Sequence, residues 1–272
     1  MEGLQMASND STFSGSIPEY YDRYLGPFLF EPYAADLAVR VAQLAPRALL
    51  EIAAGTGIVT RAIAAAVPQA QIVATDLNPG MIAIGERNAS AGNVRWQQAD
   101  AMALPFADGA FDCVVCQYGV MFFPDILASL REVRRVLAPG GTYLFSVWRS
   151  LAFNPAARVI VDVAAQTFPA DPPHFFERTP HGHDDPPKFE AWLREAGFTT
   201  IVATLVEARA RSASWGDCAL GFVHGSPLRM EIEARDASKA DAIVAAVTAA
   251  GQARHGAGAV DVPLAAYVYA AR

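Results

Sequence analysis

Between positions 48 and 148 the chain alternates short apolar runs with longer amphipathic stretches. The runs at 48–52, 71–75, 94–97, 111–117 and 142–148 have strand length, and the stretches at 58–67, 78–88 and 125–137 carry apolar residues at helical spacing. Punctuation agrees with this division. Pro68 closes the first helix, Asn78 followed by Pro79 opens the second, and Pro139-Gly140-Gly141 stops the third. Strands that alternate with helices pair in parallel through right-handed crossovers, so the pattern predicts an α/β fold built on a doubly wound, mostly parallel sheet.

Outside this block the pattern is less regular. Residues 1–17 are polar and read as a flexible tail. Residues 18–45 hold an aromatic segment, including Tyr20, Tyr21, Tyr24, Phe28 and Phe30, that reads as a helical cap broken at Gly26-Pro27 and at Pro32. The core is expected over 46–150 and a lid segment over 151–187, with a helix at 155–168 and a Pro/His/Asp-rich loop after it. The remaining 188–272 completes a seven-stranded sheet with strands at 199–206 and 264–270. It also holds an inserted cover at about 207–258, with a helix at 215–222, a strand at 228–233, an Ala-rich helix at 239–250 and a loop at 251–259.

With 272 residues, 53% hydrophobic and 18% charged, the chain can bury a full core, which excludes a disordered or fibrous class. A net charge of −7 leaves no basic surplus for a phosphate backbone, so nucleic acid is not the expected partner. No apolar stretch reaches membrane-spanning length and the start lacks a secretory pattern, so a cytoplasmic protein is expected. A homodimer is left open. Cys113 and Cys116, three apart on one strand, point to opposite faces and read as core residues; no metal site is expected.

The chemistry-bearing residues fall at strand ends. Glu51 ends the first strand, and Ala53, Gly55, Thr56 and Gly57 form the turn into the next helix, where ligands of doubly wound sheets bind. Glycines there let the backbone approach a ligand, and the amides at the helix start favour its polar parts. Asp76, about twenty residues on, stands where a carboxylate meets both ribose hydroxyls. Asp100, with the small Ala101 beside it, could take an adenine amino group after the third strand. Taken singly, each has a bland reading as a tight turn or a solvated acid; their recurrence at three successive strand ends is the informative feature.

Five blocks carry a resemblance: Glu51-x-x-x-Gly55-Thr56-Gly57, Ala74-Thr75-Asp76-Leu77-Asn78-Pro79-Gly80-Met81, Gln98-Ala99-Asp100-Ala101 with Leu104-Pro105-Phe106, Phe111-Asp112-Cys113-Val114-Val115-Cys116-Gln117, and Arg131 to Gly141. Together, over roughly 18–148, they resemble class I S-adenosylmethionine-dependent methyltransferases, in particular the small-molecule branch of ubiquinone and menaquinone biosynthesis. Ala53 departs from the pattern, because many members have glycine there. The resemblance implies a Rossmann-like sheet, with S-adenosyl-L-methionine as cofactor and S-adenosyl-L-homocysteine as product. It further implies that Glu51 lies near the cofactor's amino end, Gly55 and Gly57 beneath its methionine portion, Asp76 on the ribose, Leu77 and Met81 against the adenine, Asp100 and Ala101 on the adenine edge, and Gln117 close to the sulfonium. Tyr21 joins this set as a cap residue.

A small acceptor, apolar or aromatic, is the expected substrate, with Tyr20, Phe122, Phe123 and His183 as candidate lining residues. A general base is needed only if the acceptor is protonated. His174, His181, His183 and His224 are the candidates, with His224 first. Two other readings compete. One is a protein that binds the cofactor without transferring methyl; the other is an NAD-dependent oxidoreductase, which the lack of Gly-x-Gly-x-x-Gly, with Thr60 at the third glycine's place, disfavours.

Overall fold

In the computed structural model, which describes residues 9–89 and 91–272, seven strands form a single sheet. They are β1 (Ala48–Glu51), β2 (Gln71–Asp76), β3 (Val94–Gln98), β4 (Phe111–Gln117), β5 (Leu137–Trp148), β6 (Ile201–Ser212) and β7 (Val260–Ala271), and their order is β3-β2-β1-β4-β5-β7-β6. The pairs β1–β2, β2–β3, β1–β4 and β4–β5 are parallel. Thr200 and Arg272 exchange both backbone hydrogen bonds, and Arg209 pairs with Asp261, so β6 and β7 run antiparallel. The sheet is therefore mixed and mostly parallel. Its order reverses between β1 and β4, and a crevice opens at the carboxyl ends of strands on either side of such a switch.

The chain divides into two compact units. One comprises Tyr33–Val147, Asp185–Val206 and Ala266–Arg272, and holds most of the sheet. Its middle strands are buried on both faces: Leu49, Leu50, Cys113, Val114, Val115 and Cys116 are shut off from solvent, as the covered strands of a parallel sheet require. Burial pushes the Cys113 and Cys116 thiols up to about 12, so both stay protonated as core side chains. Helix Ile126–Val136 shows how the pattern becomes packing. Asp125 caps it by accepting from the Ala128 N–H at 2.9 Å, and Ile126, Leu130 and Val133 are buried along one face. The helix ends at Val136 and β5 begins at once. Pro139-Gly140-Gly141 thus lies inside a strand, beside a register shift between Phe111 and Cys113, and not in a separate turn.

The other unit comprises the chain up to Pro32, Trp148–Asp184 and Glu207–Ala265, and is mostly helical. Four expectations are corrected here. The part of the expected tail that the structure describes is anchored: Asp10 is buried, and its carboxylate takes two hydrogen bonds from Arg178 and one from the Thr179 hydroxyl. Residues 1–8 of that tail lie outside the described residues.

The cap helix is not broken at Gly26-Pro27 or Pro32. Helix Ile17–Tyr20 runs into a π-helical stretch, Tyr21–Phe30, and on into helix Glu31–Leu44. Glu31 donates to the Gly26 carbonyl five residues back, a wide turn that admits Pro27, while Pro32 sits in a first turn where its missing N–H costs little. Residues 228–233 are not a strand. Leu228 and Ile232, four apart and both buried, put one face of helix Leu228–Asp236 into the core. Helix Ala240–His255 also runs five residues past its expected end.

Candidate functional site

The turn after β1 is shaped by left-handed backbone. Gly55 has φ 58° and Gly57 φ 81°, conformations that glycine adopts freely, and Ala53 holds φ 51° without that freedom. The turn is tied inward: Ala54 N–H donates to the Thr75 carbonyl at 2.8 Å, Gly57 N–H to the Ala54 carbonyl at 3.1 Å, and Gly55 N–H to Asp76 Oδ2 at 2.9 Å. A Cβ on Gly119 would stand 2.5 Å from Ala53 Cβ and 2.8 Å from Cys116 Sγ, so glycine alone lets the chain after β4 come this close. Tyr118, next to it, is a second non-glycine residue with positive φ. Strain of this kind concentrates at functional sites.

Two acidic side chains bracket the turn. Glu51 is 1% exposed and its Oε2 accepts from the Thr60 hydroxyl at 2.7 Å, while its carbonyl accepts from Thr75 Oγ1. Burial, with the Asp76 charge as a smaller contribution, pushes the Glu51 carboxyl up to about 8 against the opposing Thr60 hydrogen bond. Asp76 is buried too, and burial raises it, although the N–H groups of Asn78 (2.8 Å) and Gly55 hold its ionised form. Thr56 Oγ1 is buried, with no hydrogen-bond partner among the described residues. The set suits a ligand bearing both cationic and hydroxyl groups: acceptors on either side, a turn without side-chain bulk, and a hydroxyl still able to bond.

The other sequence-derived candidates of this unit follow the same strand ends. Asp100 lies after β3, its Oδ1 accepting from Met102 N–H at 2.8 Å, with Ala101 half-buried beside it. Leu77 is 50% exposed, and its carbonyl takes the Gln98 side-chain amide; Met81 is buried at the start of helix Pro79–Asn88. Gln117 ends β4 opposite Ser146, and Phe122 and Phe123 are half-buried in the segment after Gly119. Sequence reasoning missed Thr60 and Gly119. Only Gly119 left a trace, as a lone glycine just past an apolar strand.

Tyr20, Tyr21, His183 and His224 belong to the helical unit. Tyr21 stacks on Phe30 with ring centroids 4.8 Å apart and meets Phe13 edge-on. The His224 ring lies 5.1 Å from that of Tyr20, its Nε2 4.0 Å from Asp241 Oδ1, and burial followed by the Arg229 charge lowers its pKa. His183 is half-buried. His174 Nδ1 lies 2.7 Å from Glu177 Oε2. His181 is the most perturbed: burial drives it down to about 4, and its Nδ1 lies 2.7 Å from the Arg149 carbonyl. Because a carbonyl only accepts, Nδ1 carries the proton there.

A seven-stranded sheet of this order, with acids ending β1 and β2 around a glycine turn, is a Rossmann-like α/β arrangement of the kind seen in solved methyltransferase structures. Comparison with known proteins agrees. Residues 49–141 match the methyltransferase domain family. The demethylmenaquinone methyltransferase of Thermus thermophilus is 44% identical over 110 residues, 40% of this chain and 49% of that protein. The chain thus spans about half the length of the curated relatives it matches. Bacillus subtilis YcgJ superposes with a TM-score of 0.56 at 18% identity, covering 88% of this chain and 97% of that one. Haemonchus contortus phosphoethanolamine N-methyltransferase 2, solved with S-adenosyl-L-methionine, superposes at 0.57 and 17% identity over 98% of this chain and 60% of its own. At these identities the structural matches speak for the fold.

Proposed function

We propose that the protein is an S-adenosylmethionine-dependent methyltransferase that acts on a small apolar or aromatic molecule by in-line transfer. The observation that carries this reading is the turn Ala53–Gly57 held between Glu51 and Asp76, inside the segment that matches the methyltransferase domain. In this reading Glu51 and the buried Thr56 hydroxyl take the amino-acid end of the cofactor, Gly55 and Gly57 pass beneath it, and Asp76 receives the ribose. Leu77, Met81, Asp100 and Ala101 surround the adenine, and Gln117 completes the set within this unit. When bound, the cofactor supplies a methyl group on a sulfonium that is already a good leaving group, so the protein's task is alignment and exclusion of water. A dinucleotide reading is opposed by Thr60, whose hydroxyl is committed to Glu51 where that fingerprint needs its third glycine.

The acceptor is a quinol-like or phenolic compound in this proposal, supported by the menaquinone-pathway relative and by the aromatic candidates Tyr20, Phe122 and Phe123. His224 serves as general base if the acceptor hydroxyl is protonated. Its lowered pKa keeps it neutral at pH 7, the form that accepts a proton. His183 joins Tyr20 on the acceptor side. Action in the cytoplasm belongs to the same reading, supported by three free cysteines, Cys113, Cys116 and Cys218. The test is transfer of labelled methyl from S-adenosylmethionine across a panel of quinols, phenols, fatty acids and polar amines. Label on quinols or phenols is the expected result. Label on polar amines alone overturns the acceptor class.

A further inference from the structure

Trp96 lies on β3, outside every residue assigned above, yet its indole touches the cofactor turn. A Cβ built on Gly57 would stand 3.1 and 3.2 Å from Trp96 Cζ2 and Cη2, and 3.4 Å from the Gly85 Cα. A Cβ on Gly85, within helix Pro79–Asn88, would stand 2.2 Å from Cη2 and 2.6 Å from Cζ2. The six-membered ring therefore fills the hydrogen-only space of two glycines. One is the left-handed residue that caps helix Ile58–Ala66; the other lies mid-helix, where glycine costs stability relative to alanine. That cost is explained once the indole needs the room. The three pieces belong to three different elements of one unit, and they join the turn after β1 to the helix that starts at Pro79.

We propose that Trp96 is a positioning residue for cofactor binding, one that seats Gly57 against Gly85 and so fixes the turn Ala53–Gly57 in its ligand-receiving shape. This rests on the methyltransferase reading for what the turn receives, though not for the seating itself. Trp96 does not touch the ligand in this account; it acts through Gly57. A ring that merely filled a core could be exchanged or shifted with effects on stability alone. A ring that sets the turn couples to ligand affinity.

The test uses the full chain and four variants, Gly85→Ala, Trp96→Phe, Trp96→Ala and the double variant Gly85→Ala/Trp96→Ala. Each is measured for S-adenosylhomocysteine affinity by calorimetry, for thermal midpoint, and for amide hydrogen exchange at positions 54–58 without ligand. Gly85→Ala, favoured by helix propensity, should nevertheless weaken affinity at least tenfold and speed exchange at Thr56 and Gly57. Trp96→Phe, whose shorter ring stops short of the slot, should fall between the parent and Trp96→Ala. Removing the indole makes room for the new Cβ, so the double variant should bind no worse than Trp96→Ala alone, a non-additivity that a purely structural role does not produce. Gly85→Ala with unchanged affinity and unchanged exchange overturns the proposal, as does strict additivity. If the parent itself binds no S-adenosylhomocysteine while the exchange pattern follows the indole, the seating stands and the cofactor reading falls.

Discussion

The two units carry ionisable groups of opposite habit. In the sheet-bearing unit, Glu51 is a buried acid raised to about 8, held neutral by its surroundings. In the helical unit, His181 is a base lowered to about 4, also held neutral. Each is kept uncharged by burial, but the consequence of pH is reversed. The acid sits beside Asp76 at the turn proposed to receive the cofactor, whereas His181 packs near Trp148 and Phe176 with its Nδ1 proton on a backbone carbonyl. The acid is held neutral against the Thr60 hydroxyl; the base is held neutral with its proton on the Arg149 carbonyl.

Removing a buried charge should expose that difference most sharply. Arg178 is 8% exposed and binds both Asp10 and Glu231 within the helical unit. Arg178→Ala should cost about 3–5 kcal/mol of stability, because the buried Asp10 carboxylate and the half-buried Glu231 lose their partner, and should leave S-adenosylhomocysteine affinity within threefold. Denaturant unfolding and calorimetry together check this. Asp76→Ala should behave the opposite way. Loss of its hydrogen bond from Gly55, and of the ribose contacts proposed for it, predicts about a hundredfold weaker cofactor binding, read by the same calorimetry, and an unchanged affinity would remove the ribose role.

Stability against pH sharpens the contrast further. Folding raises the Glu51 pKa from 4.5 to about 8, so its contribution is complete below pH 4.5 and is lost as pH rises through 8. Folding lowers His181 from 6.5 to about 4, so its contribution is complete above pH 6.5 and is lost as pH falls through 4. The ligand-free protein should therefore lose stability on both sides, with limits of about 1.4 kcal/mol per pH unit from each group. Glu51→Gln should flatten the alkaline limb only, and His181→Asn the acid limb only, in thermal midpoints measured from pH 4 to 9. The smallest effect is expected from Ala53→Gly. Relief of a strained φ of 51° is offset by a more flexible unfolded chain, leaving a change of about 1 kcal/mol or less in midpoint analysis.

The sheet-bearing unit was the more legible in the sequence, for a physical reason. Strand, turn and cap signals at 48–148 are local, and each acid stands at the end of its own apolar run, so Glu51, Asp76 and Asp100 could be located without knowing the packing. What escaped depended on distant partners. Thr60 reads as an ordinary helix residue until its hydroxyl is seen on Glu51, and Trp96 reads as a half-buried strand residue until two glycines are found beneath it. The anchoring of Asp10 needs Arg178, 168 residues away. Helix Leu228–Asp236 was mistaken for a strand because six residues show Leu228, Met230 and Ile232 at period two, while only Leu228 and Ile232 reach the core. The π-helical stretch has no simple sequence signal, since its Pro27 normally marks a break.

The measurement that reaches the central claim most directly is calorimetric titration of the purified protein with S-adenosylmethionine, S-adenosylhomocysteine and NAD in parallel. The account predicts saturable one-to-one binding of the first two, weakened about a hundredfold in Asp76→Ala, and no heat from NAD. Binding of NAD alone, or S-adenosylhomocysteine affinity indifferent to Asp76, would contradict it.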